Sequence, residues 1–211
     1  VQVARTGDLV RPSCDRCRTP IVCSSCGGPM HARRTTDGTE LTCRWCGQKQ
    51  KDWSCATCGS TTIRSGLVGA STTAEQLGRA FPDTTVVDSS SDHITTTIGT
   101  QPVLVVCTPG AEPCPESGYA AAVVLDATSA LERPGLTSVE QTVDRWFHVV
   151  SLVQGAPEGG RVVLVGPTGD RAVQALIRND PVGWARQELA DRREAGLPPA
   201  TCAAIISGSD Q

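Results

Sequence analysis

Eight cysteines between residues 14 and 58 stand in four Cys-x-x-Cys pairs: Cys14/Cys17, Cys23/Cys26, Cys43/Cys46 and Cys55/Cys58. A two-residue gap lets both thiolates of a pair face one centre from a tight turn. Two such pairs supply the four soft donors that tetrahedral zinc prefers, so four pairs predict two zinc ions. The other three of the eleven cysteines have no partner at this spacing. Cys107 and Cys202 read as small strand hydrophobes and Cys114 as a loop residue without an assigned role. His31 lies among the pairs, but eight thiolates already fill two tetrahedra, which leaves it on the surface of a hairpin.

The elements that must position these sulfurs follow from the spacer. Sixteen residues separate Cys26 from Cys43, and they contain Asp37-Gly38, a strong two-residue hairpin signal, flanked by threonines and Leu41 that suit short strands. The pattern is that of a zinc ribbon. A hairpin brings the inner pairs together and leaves the outer ones side by side. The expected sets are therefore nested: Cys14, Cys17, Cys55 and Cys58 for one ion, and Cys23, Cys26, Cys43 and Cys46 for the other. A sequential pairing would have to close its first site over only five residues. Trp45 and Trp53 stand near ligand cysteines, and packing over the module is favoured for both above stacking on a base.

The net charge of −3 hides an asymmetry. Residues 1–66 hold ten Arg and Lys against five acids, whereas 67–211 hold nine against seventeen. Each four-thiolate zinc site carries about −2, so part of the basic excess offsets the sites themselves. The remainder makes Arg33, Arg34, Arg44, Lys49 and Lys51 candidates for contact with DNA phosphate; a solvated basic face reads equally well. No run of about 18 apolar residues occurs, and the start VQVARTGDLV lacks the basic and apolar regions of a signal peptide. A cytoplasmic protein without a membrane partner is expected, and in that reducing compartment paired cysteines favour metal over disulfides. A disulfide scaffold or a Cys-x-x-Cys redox protein would not space four pairs as a ribbon.

Beyond Cys58 the pattern alternates. Thr61–Val68 and Thr84–Val87 read as strands, with a helix over 74–80 after the capping run Ser71-Thr72-Thr73 and a polar loop over 89–92. Val103–Cys107 and Ala120–Leu125 are continuous apolar runs of the kind buried in a parallel sheet, as is Arg161–Val165. Val139–Val153 carries a helical stripe of Val139, Val143, Trp146, Val149, Val150 and Val153. Helices are also expected over 170–178 and from Asp180-Pro181 to about Ala195. The fold class is α/β, a parallel sheet with flanking helices.

The four-pair module, followed in order by GLVGASTTAEQLGRAFP, VLVVCT, AAAVVLDATSAL and QELADRREAGLPPA, resembles the back half of the PriA family of primosomal replication-restart helicases, also called primosomal protein N-prime. The similarity covers nearly the whole chain and rests on the order of the blocks. It implies a RecA-like second helicase lobe with an inserted double zinc-ribbon module that aids strand displacement. The implied partners are branched or forked DNA and primosome and replication proteins, at a nucleoid-associated location. Its implied division is 1–13 as lead-in to the lobe, 14–60 as zinc module, 61–196 as lobe and 197–211 as the start of a C-terminal domain. The chain would then be a fragment that begins mid-lobe, with the family's ATP-binding lobe before Val1. No G-x-x-x-x-G-K-[ST] stretch occurs in these residues.

The departures from that family are specific. Its G-T-Q-M-x-x-K-G block reads Cys107-Thr108-Pro109-Gly110-Ala111-Glu112 here, without the lysine. Its Q-V-A-G-R-A-G-R block aligns to His148–Gly155, which puts Leu152 and Gly155 where arginines reach the γ-phosphate. An arginine finger contributes roughly 10³ to 10⁵ in rate, and neither replacement carries charge. Arg145 and Arg161 are the nearest arginines, and neither is placed to substitute: Arg145 lies about two helical turns before Leu152 and Arg161 opens a strand. Asp126 matches the family's L-D-A-D stretch and reads equally well as a turn cap. The expected function is a replication-restart component that binds branched DNA and recruits partners, its helicase activity lost. ATP remains a possible cofactor of the full-length protein. An active 3′-to-5′ helicase and a zinc-ribbon adaptor without DNA binding are the competing readings.

Overall fold

The computed structural model describes the chain apart from residues 4–11, 36–37, 65–68, 91–92, 126, 134 and 205–211. Two compact units divide it, Val1–Gly166 and Pro167–Gln211. Asp37, Asp126 and the ends of the runs expected over 61–68 and 89–92 lie outside the described residues.

The cysteine module carries five short strands: β1 (Ser13–Cys14), β2 (Met30–Thr35), β3 (Gly38–Cys43), β4 (Lys49–Gln50) and β5 (Ile63–Arg64). The expected hairpin is β2/β3, antiparallel from Met30 opposite Cys43 to Thr35 opposite Gly38, so Gly38, read with Asp37 as the turn, is instead the first residue of β3. β4 extends it by pairing Leu41 with Gln50, and β1 closes on β5 by pairing Cys14 with Ile63. A small core of Ile21, Cys23, Met30, Leu41 and Cys43 lies beneath, with Ala32, Trp53 and Ile63 packed against it.

The rest of the first unit is mixed, with one helix before a run of five strands and two helices before the last strand: α1 (Ala70–Ala80), β6 (Thr85–Ser89), β7 (Thr97–Ile98), β8 (Val103–Cys107), β9 (Cys114–Pro115), β10 (Ala121–Val124), α2 (Ala127–Leu131), α3 (Ser138–Ser151) and β11 (Arg161–Leu164) among the described residues. The pairs β6/β8, β10/β11 and β7/β9 are all parallel, as the apolar runs require. Gln2 bridges both Cys107 of β8 and Val124 of β10, so the order is β6, β8, the Val1–Val3 segment, β10, β11. The Val3 N–H donates to the Cys107 carbonyl at 2.9 Å, and the Gln2 N–H to that of Val123 at 2.8 Å. Val106 is fully buried with Val3 and Ala70, under Leu77 of α1. On α3, Thr142, Val143, Trp146 and Val149 form the buried stripe that the helical period announces. Between β8 and β10 lies a cavity of about 370 Å³ walled by Leu104, Val105, Ala122, Val123, Tyr119 and Leu152.

The second unit holds α4 (Arg171–Ile177) and α5 (Pro181–Glu194). Asp170 caps α4 by accepting from the Ala172 N–H at 2.8 Å, and Asp180 caps α5 through Gly183 at 2.7 Å, with Pro181 opening the helix. Arg171 of α4 reaches Asp191 of α5 at 2.7 Å. Arg192 is buried against Glu188 at 3.0 Å, and its guanidinium donates to the Pro198 carbonyl. Cys202 is exposed and in no strand, against its reading as a strand hydrophobe. The Pro198-Pro199 pair and the turn over 198–200 precede it, and alanines rather than β-branched residues follow it. Cys107 is a buried strand residue, as expected, and Cys114 is an exposed residue of β9 rather than of a loop. No helix among the described residues is long and apolar enough to cross a membrane.

Removing the α3 anchor tests this core. Trp146→Ala is expected to cost about 3–5 kcal/mol in denaturant unfolding, because the indole is only 2% exposed. Ile94→Ala, at a residue 59% exposed, is expected to stay within about 0.5 kcal/mol.

Candidate metal centre

Each Cys-x-x-Cys pair is held by the same backbone device. The first cysteine's N–H donates five residues ahead: Cys14 to Thr19, Cys23 to Gly28, Cys43 to Gln48 and Cys55 to Ser60, at 2.8–2.9 Å. Its carbonyl accepts from the N–H four residues ahead, from Arg18, Gly27, Gly47 and Gly59. The donor at that fourth place is left-handed in all four turns, with φ of 63° at Arg18 and 71–72° at the three glycines. Glycine is the residue that adopts this φ without penalty, and only the first turn departs from it. The recurrence is present in the sequence as Cys-x-x-Cys-Gly in three of four pairs, a signal that ligand spacing alone passes over.

The turns bring the eight sulfurs together in the nested sets. Cys14, Cys17, Cys55 and Cys58 form one group and Cys23, Cys26, Cys43 and Cys46 the other, with the sulfurs of each group all within 4.8 Å of one another. Cys14 lies 3.5 Å from Cys58 and Cys17 3.5 Å from Cys55. In the inner group Cys26 is 3.5 Å from both Cys43 and Cys46, and Cys23 is 3.7 Å from Cys46. Sulfurs about 2.3 Å from a tetrahedral zinc stand about 3.8 Å apart, whereas a disulfide needs about 2.05 Å. The groups fit a four-coordinate soft metal, and each set can hold one zinc.

Backbone N–H groups favour thiolates in both sulfur groups. The Cys17 N–H holds the Cys14 thiol below its usual range, and the Ser25 N–H does the same for Cys23. The Thr19 hydroxyl, 3.1 Å from the Cys17 sulfur, and the Thr19 N–H bring Cys17 down to about 6. The Cys46 N–H brings Cys43 to about 6. One thiol in each group goes the other way. The Gly28 N–H favours a Cys26 thiolate, but Cys46, Cys43 and burial push it up to about 12. At Cys58 the Ser60 N–H is likewise overcome by burial and the Cys14, Cys17 and Cys55 sulfurs, to about 12. Four anions this close cannot coexist unaided, and a divalent cation removes the conflict.

The two groups differ in exposure. Cys14 and Cys55 are buried and Cys17 and Cys58 half-buried, whereas Cys26 and Cys46 of the inner group are exposed beside buried Cys23 and Cys43. Trp53 packs against the module core, as expected, but Trp45 is 68% exposed. Its ring lies across Gly28, where an added Cβ would fall 2.8 Å from the indole, so one face is covered and the other meets solvent. His31 is half-buried on β2 opposite Thr42 and belongs to neither sulfur group.

The basic candidates differ in their surroundings. Lys49 is ion-paired with Glu40 at 2.7 Å, Lys51 is exposed and Arg44 is half-buried. Arg33 and Arg34 stand on β2 in register with Glu40 and Thr39, and their side chains lie outside the described residues.

No family model matches the chain. Over 99% of its length it is 43% identical to the probable replication restart protein PriA of Mycobacterium tuberculosis, and equally so to proteins of that name from Mycobacterium bovis and Mycobacterium leprae. The chain spans 32% of the length of these curated relatives. The resemblance carried by the order of the sequence blocks therefore holds.

The repeated turn makes opposite predictions at equivalent places. Gly27→Ala is expected to weaken metal affinity by about fivefold, the equivalent of ~1 kcal/mol of left-handed strain. An added Cβ there meets no neighbour. Arg18→Gly is expected to strengthen it by a similar factor, since its ion pair with Asp15, 3.7 Å long and half-exposed, is worth little. Competition with a chromogenic chelator measures both.

Proposed function

We propose that this chain is the zinc-binding and second-lobe portion of a replication restart protein of the PriA type, and that its part in the whole protein is to bind branched DNA and recruit replication proteins. The observation that carries the reading is the 43% identity to the three mycobacterial PriA proteins across 99% of the chain. The two four-cysteine groups and the parallel α/β unit support it.

In this reading residues 14–60 are the zinc module, with an ion held by Cys14, Cys17, Cys55 and Cys58 and another by Cys23, Cys26, Cys43 and Cys46. Zinc supplies the charge and the fixed geometry that organise a unit too small to bury much core. The chain's own residues do the rest: the four turns aim the sulfurs, and β2 carries Arg33 and Arg34 while β4 carries Lys49. Residues 1–13 lead into a RecA-like lobe that continues over 61–196, and 197–211 open a further domain. The protein works in the cytoplasm, at the nucleoid.

The lobe's helicase chemistry is lost in this reading. Leu152 follows α3 and lines the cavity between β8 and β10, and Gly155 precedes a 3₁₀ turn over 156–158, so neither place offers a cation to a γ-phosphate. Glu112 stands within the block where the family has its lysine, and its carboxylate accepts from the Gly110 N–H at 2.8 Å and from the Gln2 amide. One observation favours the adaptor reading instead: the Lys49–Glu40 ion pair ties up one of the five candidate phosphate contacts.

Binding to a forked DNA by the full-length protein, followed against salt, separates these readings. The expected result is a steep linear fall of log affinity with log salt, its slope reduced by about 1–2 in an Arg33→Gln/Arg34→Gln double variant. Weak, salt-insensitive binding would favour the adaptor. The full-length protein is also expected to hydrolyse ATP negligibly with forked DNA present. DNA-stimulated turnover that disappears when a conventional nucleotide site is mutated would contradict the loss of helicase chemistry.

A further inference from the structure

We propose that Cys26 and Cys46 form an oxidation site for two-electron oxidants of the peroxide class, whose reaction empties the inner metal centre and leaves the outer one loaded. The inference rests on the zinc reading above and goes beyond it, because it assigns the two centres different chemical fates. Cys26 and Cys46 are both exposed residues and their sulfurs lie 3.5 Å apart, so an oxidant can approach either and the second is in place to attack the first.

The outer centre is covered by what stands at the equivalent places. Five residues after Cys14 is Thr19, whose hydroxyl bonds the Cys17 sulfur at 3.1 Å and the Thr57 hydroxyl at 3.3 Å, forming a polar lid over that ligand. Five residues after Cys23 is Gly28, which has no side chain to offer and no room for one under the Trp45 ring. The hydrogen bond to Cys17 withdraws electron density from a sulfur that would otherwise attack, as groups around a metal's ligands do. Cys26 receives no such hydroxyl among the described residues.

A metal-bound cysteine is already a thiolate and has no proton to shed before it attacks. A lone pair of one exposed thiolate forms a bond to a peroxide oxygen, the O–O bond breaks, and hydroxide leaves behind a sulfenic acid. The second thiolate then attacks that sulfur and displaces the second hydroxide. In sum, two thiolates and one hydrogen peroxide give a disulfide and two hydroxide ions; the sulfurs are oxidised and the peroxide oxygens reduced. The sulfurs have to close by roughly 1.5 Å to reach bonding distance. Only Cys23 and Cys43 then remain as donors, too few to retain the ion, and the β2/β3 hairpin loses its tie to the turn at Cys23.

The test treats the zinc-loaded chain with hydrogen peroxide, follows free zinc with an indicator dye and maps disulfides by peptide mass spectrometry. The expected course is one ion released in a first phase together with a Cys26–Cys46 disulfide, and the second released about tenfold more slowly. Thr19→Val, which keeps the shape and removes the hydroxyl, is expected to speed release of the second ion several-fold without altering the first; Thr57→Val is expected to do so more weakly. Two ions at the start that leave in one phase, or an outer ion that leaves first, would overturn the proposal alone. Fewer than two ions at the start would overturn the zinc reading and the proposal with it.

Discussion

Eight thiolates crowded into two groups cannot persist in a small protein without compensating positive charge, and the rest of the module answers to that constraint. Within each group the sulfurs stand within 4.8 Å of one another. Backbone N–H groups from the four turns supply part of the compensation, yet they leave Cys26 and Cys58 at about 12, so peptide dipoles alone do not ionise the set. A divalent ion held by each group would supply the rest, and each group draws on pieces of chain that are far apart in sequence. Among the described residues the module's core cluster is five buried residues, two of them ligand cysteines. In small zinc units metal binding and folding are one equilibrium, and a core of this size fits that pattern.

The same constraint explains the order of the module. Each turn needs a left-handed residue four places after its first cysteine, so glycine follows three of the four pairs. The β2/β3 hairpin sets the distance between the inner pairs, and β1 pairing with β5 sets that of the outer ones. Nesting is thus a consequence of antiparallel pairing. The basic residues are spread along the chain over β2, β4 and the segments beside them, and Lys49 already faces Glu40.

Sequence alone carried much of this where the signal was local. Cys-x-x-Cys spacing, the hairpin, the apolar runs of β8 and β10 and the cap at Asp180-Pro181 are short-range features, and the structure has them within a residue or two. What it did not carry was long-range. Val1–Val3 read as part of a mostly polar lead-in, although the segment runs between two strands more than 100 residues later in the chain. Trp45 read as packing because it neighbours a ligand, but only the approach of Gly28 decides which face is covered. Strands of two residues such as β7 and β9 leave no periodic pattern to read. The unequal exposure of the two metal groups has the same origin, since identical spacings gave no reason to distinguish them.

The central claim is the nested assignment, and counting zinc by native mass spectrometry in paired variants tests it most directly. Cys23 and Cys43 belong to one centre in this account, so a Cys23→Ala/Cys43→Ala chain retains one ion, whereas Cys14→Ala/Cys23→Ala strikes both centres and retains none. A Cys23→Ala/Cys43→Ala chain with no zinc, beside a Cys14→Ala/Cys23→Ala chain that keeps one, would show sequential pairing and contradict the account.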